Sequence, residues 1–335
     1  MDFVKEMKAK AVSLQKRLVL PEGTEKRTIK AARILTDEKL SSQIILLGKE
    51  AAIRDIASGE GINLDGISLL DPALSANIAN YADELYQLRK HKGMTPEQAK
   101  SDIADPLRWG AMMVHLGEAD AMVAGAENTT GDVLRAGLTI IGMAPGLKTA
   151  SSCMVMTIMD SSANSLWGKE GALIFSDCAV VPDPTAEQLA DIAESAAQSC
   201  REFLGTEPAA ALLSFSTKGS AQHDNVAKVQ NAAAILKNKK VNFLFDGELR
   251  ADAALVPSVA ASKAPGSPVA GKVNTLVFPD LGSGNIGYKL VQRLGNALAF
   301  GPFLQGFAKP ISDLSRGASV EDIVVTCAVT LSRAK

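Results

Sequence analysis

Short apolar runs of strand length alternate with amphipathic helical stretches along nearly all of this 335-residue chain. Residues 17–20, 44–47, 121–124, 153–159, 172–180, 211–215, 243–245 and 275–278 read as strands. Between them, 28–35, 77–90, 106–116 and 186–204 read as helices. The last is opened by Thr185 with Gln188 three residues on, the signature of a capping box. A parallel strand pair needs a crossover, and a helix usually fills it. The alternation therefore predicts an α/β fold of mostly parallel sheets flanked by helices. Ligand crevices in such folds lie at the carboxyl ends of the strands.

A chain of 335 residues is too long for one ordinary core, so two domains are expected. The breaker-rich stretch 142–148 (GMAPGLK) marks one boundary, and a second falls near the helix read at 288–298. The tail is expected to return to the first domain. That division assigns 1–146 plus 298–335 to a first α/β domain and 147–297 to a second. Aromatic residues make up only 4% of the chain, so the core must rest on Ala, Val, Leu and Ile.

Lys and Arg (35) nearly balance Asp and Glu (37), which gives no general attraction to nucleic acid or anionic membrane. No apolar stretch has the length of a membrane span, and the opening MDFVKEMKAKAVSLQKR lacks a signal-peptide core. Cys153, Cys178, Cys200 and Cys327 are scattered, with no CxxC, and read as reduced thiols of a cytoplasmic protein. His91, His115 and His223 each stand alone, so neither a histidine metal centre nor a Ser-His-Asp triad is suggested. No metal site is expected.

The chemistry is concentrated in three polar loops, each tied to an arginine. They are 125–135 (GAENTTGDVLR), 279–293 (PDLGSGNIGYKLVQR) and 312–322 (SDLSRGASVED). Backbone N–H groups, hydroxyls and a guanidinium fork are what a phosphoryl group or other oxyanion requires. In the first loop, Asn128, Thr129 and Thr130 let a ligand oxygen approach, with Arg135 able to reach back. Thr129, Thr130 or Asp132 would equally serve as a plain N-cap. The second loop holds Gly282, Gly284 and Gly287 in the spacing GxGxxG, but the acidic residue expected about 20 positions on is missing. Gly284 and Asn285 therefore read as close-approach points for a phosphate or a neighbouring helix, with Arg293 further along. The third loop places Ser315, Arg316 and Gly317 in succession before a helix near Val320. There Ser319 and Asp322 have the spacing of a capping box. Arg89, in LYQLRKHKG, reads by pattern as a cation at a helix end.

The segments 105–138, 245–255, 264–297 and 301–324 resemble the phosphate acetyl/butyryltransferase family, and the resemblance extends over essentially the whole chain. Gly131 and Ala136 stand where many relatives are expected to carry Ala and Pro. The resemblance implies reversible acetyl transfer between coenzyme A and inorganic phosphate, by direct thiolate attack in a ternary complex. The substrates would be CoA, acetyl phosphate and phosphate, with no cofactor and no metal. It also implies a homodimer, each subunit having two α/β domains around a central cleft, similar to isocitrate/isopropylmalate dehydrogenase-type folds. The family's cleft residues fall on Arg89, Arg135, Arg293, Ser315, Arg316 and Asp322. Asp322 would take the thiol proton, Ser315 would polarise the acyl carbonyl, and the arginines would bind phosphate and CoA. Asn128, Thr129, Thr130, Gly284 and Asn285 complete the expected binding set. The alternatives are a phosphate butyryltransferase, an NAD(P)-dependent decarboxylating dehydrogenase favoured only by GxGxxG, and a non-catalytic acetyl-CoA sensor.

Overall fold

The computed structural model describes residues 2–158, 167–168 and 170–334. The chain divides into two compact units, Asp2–Ala144 with Phe307–Lys335, and Pro145–Gly306.

The first unit holds a five-stranded, fully parallel sheet. Its strands are β1 (Arg17–Leu20), β2 (Gln43–Leu47), β3 (Ile67–Leu70), β4 (Ala121–Ala124) and β11 (Ile311–Asp313), in the order β11-β4-β1-β2-β3. Leu18 stands beside both Ile44 and Ala121, and Ile311 beside Met122. The helices are α1 (Phe3–Leu14), α2 (Lys26–Asp37), α3 (Glu50–Gly59), α4 (Ile78–Arg89), α5 (Pro96–Ile103), α6 (Pro106–Leu116), α7 (Thr130–Ala136) and α13 (Val320–Ser332). Successive strand side chains point to opposite faces. Accordingly Leu18, Leu20, Ala121 and Val123 join Ile29 and Leu35 of α2 and Ile323, Val324, Cys327 and Leu331 of α13 in one buried cluster. Met122 faces the other way. Its thioether lies 3.0 Å from where a side chain on Gly110 of α6 would begin, so only glycine lets α6 come that close.

The second unit holds β5 (Ser151–Thr157), β6 (Ala172–Ser176), β7 (Ala209–Leu213), β8 (Leu244–Leu249), β9 (Thr275–Val277) and β10 (Leu298–Gln305). Their order is β10-β5-β6-β9-β7-β8. The pairs from β6 through β9 and β7 to β8 are parallel, while β5 runs antiparallel to both β6 and β10. The sheet is therefore mixed, with its antiparallel strands at one edge, a common arrangement in large α/β sheets. Its helices are α8 (Ala186–Leu204), α9 (Asp224–Lys239), α10 (Ala251–Leu255), α11 (Pro257–Lys263) and α12 (Leu281–Leu294). Thr185 and Gln188 close the capping box of α8 as expected.

Several boundaries differ from those read in the sequence. The helix read at 288–298 is α12, which ends at Leu294, and residues 298–305 form β10, which pairs with β5 and so belongs to the second unit. Phe303 and Leu304 are buried, and the Gln305 side chain bonds Ser151, Ser176 and Ser199. Pattern alone could not separate this strand from a helix extension. The strand read at 211–215 lies at Ala209–Leu213, and Phe215 is 60% exposed beyond it. The run 172–180 stops at Ser176, because the Asp177 carboxylate then turns the chain by accepting from the N–H groups of Ala179, Val180 and Val181. The run 153–159 begins instead at Ser151, and Met159 lies outside the described residues.

Candidate functional site

Two of the three polar loops follow neighbouring strands, β4 and β11, and the structure joins them. Both begin where strand pairing ends: the Leu314 N–H donates to the Ala124 carbonyl at 2.8 Å. Arg27 of α2 ties them further. Its guanidinium donates to the carbonyls of Arg316 and Ala318, each at 2.8 Å, and to that of Ala126 at 3.1 Å.

The first loop is organised around a residue that no motif singles out. Glu22, just beyond β1, is 4% exposed. Its carboxylate accepts from the N–H groups of Gly125, Ala126, Glu127 and Asn128 at 2.8–3.0 Å, and from the Asn128 amide at 2.9 Å. A buried carboxylate needs such donors. Here it occupies the concavity that small-residue patterning offers to a ligand anion. The N–H groups of 125–128 and one N–H of the Asn128 amide thus bond a carboxylate of the protein itself. The charge of Glu22 acts on its surroundings. Burial first, then the Glu22 and Glu25 charges, raise the Glu127 carboxyl above its ordinary range, with Arg27 opposing.

Beyond that turn the hydroxyls divide their tasks. Thr129 is the N-cap of α7. Its Oγ1 accepts from the Asp132 N–H at 3.2 Å and donates to the Asp132 carboxylate at 2.7 Å. That bond, with the Arg135 charge behind it, holds the exposed Asp132 carboxyl below its usual range. Thr130, exposed, instead donates to Asp313 Oδ2 at 2.6 Å, across to the end of β11. Arg135 pairs with Asp132 at 3.2 Å while 67% of its side chain stays exposed. With Asn128, Asp132 and Asp105 it lines a cavity of about 120 Å³, which Arg108 of α6 also lines. Arg108 was not legible as a site residue. Its position, three residues after the Asp105 cap, reads as ordinary helix chemistry.

In the third loop Ser315 and Arg316 are both exposed, and Ser315 Oγ accepts from the Gly317 N–H at 3.3 Å. Asp322 caps α13 as the spacing suggests. Its Oδ2 accepts from the Ser319 N–H at 2.9 Å and from the Ser319 hydroxyl at 2.8 Å. Both bonds use one oxygen of an exposed carboxylate, so Oδ1 takes no part in the cap. Arg89 lies in the same unit at the end of α4, half-buried, and no bond among the described residues ties it to these loops.

The remaining expected residues lie in the second unit. Gly284 and Asn285 start α12 against the turn after β6. A side chain on Gly284 would collide with the Asp177 carbonyl, and the Asn285 amide donates to the Cys178 carbonyl at 3.0 Å. Gly287 packs against the Phe278 ring. Gly284 and Gly287 thus let α12 come close to the turn after β6 and to Phe278, neither of which is part of a helix. Arg293 is exposed in the last turn of α12.

A family model described as phosphate acetyl/butaryl transferase matches residues 2–331 of this chain. A phosphate acetyltransferase of Treponema pallidum is 59% identical over 333 residues, covering 99% of this chain and 98% of that protein. The crystal structure of a phosphotransacetylase from Streptococcus pyogenes superimposes with a TM-score of 0.92 at 39% identity, over 99% and 98% of the two chains. More distantly, a 4-hydroxythreonine-4-phosphate dehydrogenase from Klebsiella pneumoniae shares the fold at a TM-score of 0.52 and 12% identity, covering 96% of this chain and 100% of that one.

Proposed function

The chain belongs to the phosphate acetyl/butyryltransferase family, and on that premise we propose that it catalyses reversible transfer of an acetyl group between coenzyme A and inorganic phosphate. The observation that carries the mechanism is the junction of the two loops. One exposed hydroxyl and guanidinium (Ser315, Arg316) follow β11, next to the strand that leads to Thr130 and Arg135.

In this reading the CoA thiolate attacks the acyl carbon of acetyl phosphate, since the thiolate is the competent nucleophile. Asp322 takes the thiol proton and Ser315 donates to the carbonyl oxygen as charge develops there. Arg135, Arg316, Arg89 and Arg293 hold phosphate and the CoA phosphates, with Asn128, Thr129, Gly284 and Asn285 shaping the loops that carry them. Orientation of two bound substrates supplies much of the acceleration, and the guanidiniums stabilise the departing phosphate.

Direct transfer is preferred to a covalent cysteine intermediate. All four cysteines are buried. Burial pushes the thiols of Cys178, Cys200 and Cys327 above their ordinary value, the reverse of an activated nucleophile.

The proposal extends to a homodimer in the cytoplasm. Ile286, Leu290 and Leu294 expose 60%, 51% and 82% of their surface at successive turns of α12, an apolar stripe suited to burial by a second copy. No helix among the described residues is long and apolar enough to cross a membrane.

The test is phosphate-dependent loss of the acetyl-CoA thioester with matching formation of acetyl phosphate, run without added metal. Parallel assays with propionyl- and butyryl-CoA set the acyl preference. Loss of thioester that does not depend on phosphate would sink the reading.

A further inference from the structure

Expelling phosphate from acetyl phosphate poses a problem that the arginines alone do not solve. The dianion would leave as a fully deprotonated phosphate, a poor leaving group, unless a proton reaches its bridging oxygen as the C–O bond breaks. Asp322 is the acceptor of the thiol proton, so the supply must come from elsewhere.

The structure offers one arrangement built for it. Asp313 closes β11 as a half-buried carboxyl. Its Oδ2 holds the exposed Thr130 hydroxyl at 2.6 Å. Its Oδ1 is buried without a hydrogen-bond partner and packs against Gly125. Gly125 has a φ of +111°, and a side chain there would strike Oδ1 and the Leu314 N–H, so glycine alone admits the carboxyl. On the other side of the same backbone sits Glu22, which has drawn to itself every donor of the turn. Two carboxyls share this space, and it is Glu22 that takes the N–H groups of the turn. An orphan buried oxygen is costly for a carboxylate and tolerable for a neutral acid.

We propose that Thr130 and Asp313 form the proton-delivering pair of the reaction, Thr130 touching the leaving phosphate and Asp313 standing behind it as the acid that recharges the hydroxyl. The inference rests on the acetyl-transfer reading and adds the residues that serve its leaving group. As the C–O bond of acetyl phosphate breaks, the Thr130 hydroxyl proton passes to the departing oxygen. The Asp313 carboxyl proton replaces it, leaving Asp313 ionised. The S–H proton has meanwhile gone to Asp322, and solvent returns one proton from Asp322 to Asp313 between turnovers. In the opposite direction the same pair accepts the proton of attacking hydrogen phosphate.

The surroundings suit the role. Burial first, and the Glu22 charge in addition, raise the Asp313 carboxyl to about 6 against the pull of the Thr130 bond and of the Leu314 N–H. As the C–O bond breaks, the departing oxygen becomes far more basic than that carboxyl, so the proton passes downhill to it. The charged groups on the elements around Asp313 are Glu22 and Glu25 after β1, Arg27 on α2, Glu127 after β4, Asp132 and Arg135 on α7, Arg316 after β11, and Glu321, Asp322 and Arg333 on or beside α13. Among them the Glu22 carboxylate is the one whose charge bears on Asp313. A bound dianion would raise its proton affinity further.

The test is the pH profile of kcat for acetyl phosphate plus CoA in three variants. Wild-type enzyme is expected to lose turnover on an alkaline limb above about 6. Asp313→Asn should lower kcat at least tenfold with KM for acetyl phosphate changed less than threefold, and should abolish that limb. Thr130→Val should match it, Thr130→Ser should restore both rate and limb, and the Asp313→Asn/Thr130→Val double variant should lose no more than either alone. An Asp313→Asn enzyme of near-normal kcat that keeps the limb would overturn the proposal, as would a fully active Thr130→Val. Active wild-type enzyme with indifferent variants defeats only this pair. Wild-type enzyme without phosphate-dependent turnover defeats the acetyl-transfer reading beneath it.

Discussion

Two aspartates near the C-terminus illustrate how much a side chain's setting decides. Asp322 is exposed and caps a helix through one oxygen, while Asp313 is half-buried with one oxygen unpartnered. Asp322→Asn should lower kcat by two to three orders of magnitude with little change in either KM, read by steady-state kinetics, if the carboxylate takes the thiol proton. An enzyme of normal turnover but lowered melting temperature would return Asp322 to a purely capping role. For Asp313 the sign of the stability effect can be worked out. The folded chain binds its proton at about 6 against an ordinary 3.8, so the native state holds the proton more tightly than the unfolded chain. Its contribution is fully present below about 3.8 and is lost as pH rises to about 6, a span worth up to roughly 3 kcal/mol. Asp313→Asn should therefore be more stable than wild type at pH 7.5 and no more stable at pH 4, by denaturant titration at both. A group that lowers stability at working pH fits a functional use of the position.

At the scale of elements, the fold repeats one device. A carboxylate near a strand end gathers the N–H groups of an adjoining turn: Glu22 after β1, Asp177 after β6, and Glu248 on β8, which accepts from Gly219 and Ser216. Small, polar turns of this kind look in sequence like phosphate cradles, and here an internal anion fills each one. The resemblance is physical, since the same N–H geometry serves either anion. Gly284 shows the counterpart for GxGxxG. Gly284→Ala should drive a methyl group into the Asp177 carbonyl and cost about 2–4 kcal/mol, measured as a lowered urea midpoint. A neutral outcome would mean the start of α12 moves freely. Helices were the most legible elements. The spans expected at 106–116 and 186–204 are those observed, because Pro106 at the first helical position, the Gly117 stop, and the Thr185 box with Gly205 at its end mark both termini locally. Strand limits were less so, because pairing with distant neighbours ends them.

At the scale of the whole molecule, the mixed second sheet and the exposed apolar stripe of α12 lead to the prediction about assembly. Wild-type protein should sediment as a dimer at micromolar concentration, and Leu290→Lys with Leu294→Lys should sediment as a monomer. A monomeric wild type would remove the homodimer from the proposal. The linear chain by itself determined the alternating α/β architecture, the helix caps and the family, because these depend on local periodicity, short-range capping and extended similarity. It also marked Ser315, Arg316, Thr130 and Arg135 as chemically apt. Only the tertiary structure decided that β10 completes the second sheet, that Glu22 occupies the first loop, and that Thr130 meets Asp313. The reason is distance along the chain: Glu22 bonds a turn more than 100 residues away, and Thr130 and Asp313 are separated by 183. Burial and charge that come from folded neighbours leave no trace in local pattern.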